Sequence, residues 1–356
     1  MLKKTNCKLQ KLDLSFCSVT EEGYVSLVAA VKSNSSLPLS ELGLEGNDPG
    51  DKGVKLLADL QDDSTYKLKE IRLLKSPEAK KACSSITNVL GTNALLLSEL
   101  HLSGKIHGDS EMNDLSALLQ DLHCRPKKIK LNNCSIKWKG CAALASALCL
   151  NHLHLKYLYL SENKIGHHGV LKLCPLLTCS NLQILDLSFC SVTEDGYTSL
   201  AKALKSSHLT DLDLRGNDPG ESGVKALTVL LNDRDCKLKV LKLLVTPAAE
   251  EAFAFLTKAL NTNPLLLKEL DLSGKIQGDS GMKKLSALLE DSHCRPSTIR
   301  LNRCTITAEG CASLASALCL NHLHLKYLYL SENKIGHHGV LKLCPLLTCS
   351  NLQILE

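Results

Sequence analysis

A segment of the form L-x-x-L-x-L-x-x-(N/C) recurs along the whole chain. It starts at Leu9, Leu39, Leu68, Leu97, Pro126, Leu155, Leu182, Leu209, Leu238, Leu267, Pro296 and Leu325, and a thirteenth copy opens at Leu352 and is cut short at Glu356. Successive starts are 27–30 residues apart. Between Leu182 and Val192, Leu185 and Leu187 alternate with residues that must face out, the period of a short strand with one buried side. Just beyond, Thr193-Glu194-Asp195-Gly196 opens a helix whose apolar side carries Leu200, Ala203 and Leu204. Neither piece can bury its apolar side alone, whereas stacking the next unit buries both.

A period in the high twenties with this strand pattern is the signature of leucine-rich repeats. The expected fold is α/β: a leucine-rich-repeat solenoid, or horseshoe, of about 12 repeats with a parallel sheet on its concave face and helices on its convex face. Residues 1–356 read as a single domain of this kind. Twelve strands at about 4.8 Å spacing predict one inner arc of roughly 55–60 Å. Composition agrees: 44% of residues are apolar but only 3% aromatic, which suits many thin leucine layers rather than one irregular core. At the ninth position of a repeat an asparagine amide can satisfy backbone groups stranded where the strand turns away. Asn47, Asn163, Asn217 and Asn333 stand there, and Cys17, Cys134, Cys190 and Cys304 replace it with a weak S–H donor. Ser76 and Thr246, each followed by proline, and Lys105 and Lys275 break the rule, so irregular turns are expected in those two pairs of repeats.

A longer period overlies the short one. Leu144 to Leu185 is identical to Leu314 to Leu355, an offset of 170 residues that also relates LEGNDPGDKGVKLL at Leu44 to LRGNDPGESGVKAL at Leu214. A six-repeat block is therefore duplicated. The chain opens near a strand and stops inside one, whereas a free-standing solenoid needs polar capping repeats, so a piece of a longer protein is expected.

The 17 cysteines mostly recur at fixed repeat positions, which reads as buried, reduced thiols acting as small apolar filler. With no cysteine cluster at either end and no apolar leader in MLKKTNCKLQ, the cytoplasm is the expected compartment. No run is long and apolar enough to predict a membrane span. A formal charge of +5 is mild for this length, and nucleic acid is not expected as a partner.

The phrases LDLSFCSVTEEGYVSL, LGLEGNDPGDKGVKLL and LYLSENKIGHHGVLKL resemble the ribonuclease-inhibitor-like subclass of these repeats. Within it they are most similar to the repeat region of NOD-like receptors of the group expanded in bony fish. The resemblance implies the ligand-sensing or autoinhibitory segment of a cytosolic innate-immune receptor, with a protein ligand or the receptor's own nucleotide-binding domain as partner. The alternative is a free-standing inhibitor of the ribonuclease-inhibitor kind. Against that alternative, an inhibitor of basic ribonucleases should be acidic, and this chain is slightly basic. No G-x-x-x-x-G-K-[ST] occurs, so no nucleotide binding is expected of the chain itself.

No catalytic constellation stands out, and neither enzymatic activity nor a cofactor is expected. Cys149, His152, His154, Cys174 and Cys179, with Cys319, His322, His324, Cys344 and Cys349 repeating them, offer zinc-type ligands, but they straddle a helix end, a strand and the next helix, so convergence on one ion is not expected. Binding surfaces are more legible. Third and fifth positions alternate with buried leucines, which places Lys128, Lys130, Tyr157, Tyr159 and Asp186 on adjacent strands, and Arg300, Tyr327 and Tyr329 with Glu356 six repeats later. Tyrosine and arginine are common interface anchors. Arg72, with Lys69 and Lys75, is expected to join Lys127, Lys128 and Lys130 in a basic patch.

Overall fold

The computed structural model describes residues 2, 7–61, 63–66, 68–91, 94–151, 154–233, 235–260, 263–320, 324–349 and 351–356. The chain forms two compact units, Met1–Asp186 with Ser206–Asp211, and Leu187–Lys205 with Leu212–Glu356. They follow the duplicated blocks closely.

In the first unit the strands are β1 (Lys11–Asp13), β2 (Glu41–Gly43), β3 (Glu70–Arg72), β4 (Glu99–His101), β5 (Lys128–Lys130), β6 (Tyr157–Tyr159) and β7 (Ile184–Asp186). Between them run α1 (Glu21–Lys32), α2 (Gly50–Gln61), α3 (Pro77–Leu90), α4 (Gly108–Leu119), α5 (Trp138–Leu150) and α6 (Gly166–Cys179). The second unit carries α7 (Glu194–Leu204), β8 (Asp211–Asp213), α8 (Gly220–Leu231), β9 (Val240–Lys242) and α9 (Pro247–Leu260). It continues through β10 (Glu269–Asp271), α10 (Gly278–Leu289), β11 (Thr298–Arg300), α11 (Ala308–Leu320), β12 (Tyr327–Tyr329), α12 (Gly336–Leu343), α13 (Leu346–Cys349) and β13 (Ile354–Leu355). Every strand begins at the third position of its repeat.

The alternation does what the pattern predicts. The fourth-position residues Leu42, Leu100, Ile129, Leu158, Leu270, Ile299 and Leu328 are wholly buried, while their neighbours on the same strands face out at least in part, Gly43 and Thr298 excepted. On α7 the buried face is Leu200, Ala201 and Leu204 rather than Ala203, which is half-buried. The ladder asparagines act as expected. Asn163 Oδ1 accepts the N–H groups of Cys134 and Ile136, each at 3.0 Å, and its Nδ2 donates to the carbonyls of Leu131 and Leu160. Cys134 and Cys304 donate their thiols to Leu102 and Leu272 carbonyls at 3.4 Å. An acidic side chain near the start of one helix also receives an N–H at the start of the next. Glu21 binds Lys52 N–H at 3.0 Å and Glu194 binds Ser222 N–H at 2.7 Å, so these two repeats cap their successors where the helix dipole favours negative charge.

Within each unit this is an α/β leucine-rich-repeat solenoid, but the expected uninterrupted sheet is not formed. β1–β2–β3 pair in parallel, as do β4–β5–β6–β7; β8 pairs with β9, and β10–β11–β12–β13 pair again. Among the described residues no ladder joins β3 to β4 or β9 to β10. The helix layer breaks one step earlier: α1 packs on α2 and α3 on α4, yet α2 barely touches α3, and the same holds between α8 and α9. The third repeat therefore lends its strand to one stack and its helix to the next. The switch occurs at the nonconforming turn. Ser76 and Thr246 spend their side chains on N–H groups of their own helices, those of Ala79 at 3.0 Å and Ala249 at 3.1 Å. A ladder asparagine there would have tied the turn to the preceding repeat.

The residues after α4 fill the opening. Asp121 accepts the Lys75 N–H at 2.8 Å and holds His123 Nδ1 at 3.0 Å, and His123 Nε2 meets the Tyr24 hydroxyl at 2.9 Å. In the second unit Asp291, His293 and Tyr197 repeat the arrangement, with Val245 in place of Lys75.

Not all of the cysteines are the reduced thiols expected. Cys149 and Cys179 form a disulfide with Cα atoms 5.8 Å apart, and Cys319 is disulfide-bonded as well. They end α5 and α6, one repeat step apart, where stacked helix ends approach each other. Cys17, Cys134, Cys304 and Cys344 are among those that remain thiols.

Candidate protein-binding face

Stacking places third- and fifth-position side chains of successive repeats side by side. In the first unit Lys128 lies opposite Tyr157 and Lys130 opposite Tyr159, and Tyr159 stands beside Asp186 on β7. The lysine Nζ atoms sit 5.8 Å and 5.7 Å from the two tyrosine ring centres, within reach of the ring quadrupole. Both tyrosines are half-buried. Glu99 closes one end of this row, bound by Lys128 and His101, each at 3.0 Å. Those bonds hold the Glu99 carboxyl below the usual carboxylate range and raise Lys128.

The second unit carries the related row Arg300, Tyr327 and Tyr329. The Arg300 guanidinium lies 5.3 Å from the Tyr329 ring centre and 3.1 Å from Glu269. The rows are not equal, however. Where β5 presents Lys128, β11 presents Thr298, which is buried, and where β4 presents His101, β10 presents Asp271. The first row is therefore the more basic and the second the more acidic, a divergence that the duplicated tyrosines conceal.

Arg72 is not brought to either row. On the separate β1–β3 sheet it reaches across Gly43 to Asp13 at 2.6 Å. A side chain at position 43 would collide with both partners. Hydrogen bonds from Ser15 and the Arg72 contact hold the Asp13 carboxyl down at about 2. Lys127 and Lys128 also engage carboxylates, Asp51 at 3.3 Å and Glu99 at 3.0 Å, so the cations do not pool into one patch.

Among the described residues no group of histidine, cysteine and carboxylate side chains is arranged to hold a metal; His152, His322 and the side chain of Cys349 lie outside them. Nor is any described helix long and apolar enough to cross a membrane. Sequence reasoning missed the Tyr24–His123–Asp121 relay and the Cys149–Cys179 bond. Both depend on which repeats meet across the break or at helix ends, and no single repeat shows that.

A stack of leucine-cored strand–helix units with an open strand face defines a leucine-rich-repeat protein. Residues 5–28, 151–174, 178–201, 205–227 and 321–344 match a leucine-rich-repeat family model. The chain is 32% identical to the ribonuclease inhibitor of Mus musculus over 345 residues, 96% of this chain and 74% of the inhibitor. It is 34% identical to NACHT, LRR and PYD domains-containing protein 12 of Mus musculus, over 89% of this chain but 30% of that protein. Protein 5 of that series from Homo sapiens is 31% identical over 99% of this chain and 29% of its own length. The chain belongs to the ribonuclease-inhibitor-like leucine-rich-repeat family, and it spans less than a third of the NACHT-containing relatives it matches.

Proposed function

We propose that the chain is a protein-binding scaffold without catalytic activity, acting as the ligand-sensing or autoinhibitory repeat segment of a cytoplasmic innate-immune receptor of the NOD-like kind. The observation that carries this reading is the row Lys128, Lys130, Tyr157, Tyr159 and Asp186. It offers large amphipathic rings, cations seated against them and a carboxylate, all on a face whose leucine core is already satisfied. Such a face has little to contribute to folding and much to contribute to recognition. The similarity to NACHT-containing proteins over nearly the whole chain supports a neighbouring nucleotide-binding domain as the partner.

The ribonuclease-inhibitor relatives support the second reading, a free-standing inhibitor, because there the chain covers 74% of the relative. Surface plasmon resonance against a recombinant NACHT domain and a pancreatic-type ribonuclease separates the two. The first reading predicts saturable binding to the NACHT domain that Tyr157→Ala/Tyr159→Ala weakens at least tenfold. Tight binding to the ribonuclease alone would establish the second.

A further inference from the structure

In the second unit a cavity of about 330 Å³ opens between α8 and the connections that lead into β10, β11 and β12. Its wall is apolar at Val224, Leu265 and Leu267, and its charged groups are Lys225, Lys268, Arg295 and Lys326 against one carboxylate, Glu221. Arg295 is nine-tenths buried and anchored: its Nε donates to the Ser292 carbonyl at 2.7 Å, and its other nitrogens meet Asp218 and His324. With Asp218 counted, the four cations still outnumber the two carboxylates. The cavity is at the lower end of the size range of small-molecule sites, which combine apolar walls with a few placed polar groups.

The first unit repeats the cavity at about 270 Å³, lined by Val54, Lys55, Leu95, Leu97 and Arg125, each identical to its partner 170 residues on. Two positions differ in a compensating way. Lys127 gives way to Ser297, while Ser98 gives way to Lys268, so a lysine leaves one connection and appears on its neighbour. Each of these lysines meets the equivalent acid, Asp51 at 3.3 Å or Glu221 at 2.7 Å. The positive character of the cavity thus survives divergence of the residues that supply it.

We propose that the cleft beside α8 binds a phosphate monoester with a small apolar or aromatic body, and that its counterpart beside α2 is a weaker site of the same class. Lys225 and Lys268 share the single Glu221 carboxylate at 3.4 and 2.7 Å, Arg295 pairs with Asp218 and Lys326 adds a fourth cation, so the cleft keeps an excess of positive charge for an anion, and the Val224–Leu265–Leu267 wall receives the body. Tyr327, a member of the second tyrosine row, also lines the cleft. The site does not depend on the protein-binding reading.

Calorimetry of the full chain with phenyl phosphate at physiological salt tests the proposal, with inorganic phosphate and benzyl alcohol as comparators. Phenyl phosphate is expected to bind at least tenfold more tightly than either comparator. Lys225→Gln/Lys326→Gln is expected to weaken the tighter site at least tenfold with the melting curve unchanged. In the unmodified chain, ring-proton Overhauser contacts to the Val224 methyls should appear at saturation, which keeps the proposal testable if the variant misfolds. Equal affinity for phenyl phosphate and inorganic phosphate, or absence of the Val224 contacts, overturns it.

Discussion

Tyr24 and His123 are 99 residues apart in sequence and share a hydrogen bond of 2.9 Å in a fully buried position. Tyr197 and His293 do the same at 2.7 Å in the second unit. Each histidine bridges two groups, its Nδ1 against an aspartate and its Nε2 against the tyrosine hydroxyl, which also reaches the Leu44 or Leu214 carbonyl. The relay holds the connection after the fourth repeat against the turns of the first three. Tyr24→Phe leaves the His123 nitrogen buried without its partner, at a cost of about 1–3 kcal/mol. Urea melts should show that loss, and a variant indistinguishable from wild type would mean the relay does not form.

The aspartates of these relays make stability depend on acid. Burial pulls the Asp121 and Asp291 carboxyls up, but hydrogen bonds from the histidine and from backbone N–H groups outweigh it and leave both below their ordinary value. A carboxyl whose folded pKa is depressed contributes stability that is fully present above its unfolded value of about 3.9 and is lost as pH falls through the folded value. Denaturant midpoints should therefore drop below about pH 4, and drop less in Asp121→Asn/Asp291→Asn, which starts from a lower plateau. Parallel acid profiles for the two proteins would contradict this.

The repeat core should respond as a packed interior. Leu160→Ala removes a fully buried side chain and should cost on the order of 2–5 kcal/mol. Asn163→Ala strands two N–H groups and two carbonyls and should cost roughly 1–3 kcal/mol. Near-wild-type melts for both would place the repeat register elsewhere.

Thiol reactivity should divide by position. Cys134, Cys190 and Cys304 are buried on the ladder, and Cys124 and Cys294 each lie three residues after a relay aspartate, where burial pushes their thiols far up. In native protein these should resist iodoacetamide while exposed Cys17 and Cys344 react within minutes. Mass spectrometry without reductant should recover the Cys149–Cys179 peptide pair. Native labelling of Cys124, or recovery of Cys149 and Cys179 as separate alkylated peptides, would contradict the arrangement.

The strands were legible because a repeat states its own geometry: Leu158 is apolar between Tyr157 and Tyr159, and only one face can be buried. The ladder asparagines were legible for the same reason. Ser76 and Thr246 marked the two irregular regions, since neither can bridge to the preceding turn as Asn47 does. What those residues could not reveal was the consequence, that β3 and α3 join different stacks and that Asp121 and His123 enter the gap. That outcome rests on contacts across the break, to which Tyr24 contributes only as one more apolar helix residue. The tyrosine rows were placed correctly on their strands, but sequence identity over the duplicated segment hid the exchange of Lys128 for Thr298 just outside it. Arg72 was grouped with the wrong cations because Gly43, the opening that lets it reach Asp13, looked like an ordinary fifth-position residue.

Recognition by the strand face can be tested directly in cells, with no partner chosen beforehand. A photo-crosslinking phenylalanine analogue is placed at Tyr159 on β6 or, as a control, at Leu171, an exposed residue of α6. Each chain is irradiated in cells, and adducts are tested for loss when unlabelled wild-type chain competes. The account predicts a discrete, competable protein adduct from position 159 and none from position 171. A competable adduct from position 171 with none from position 159 would contradict it.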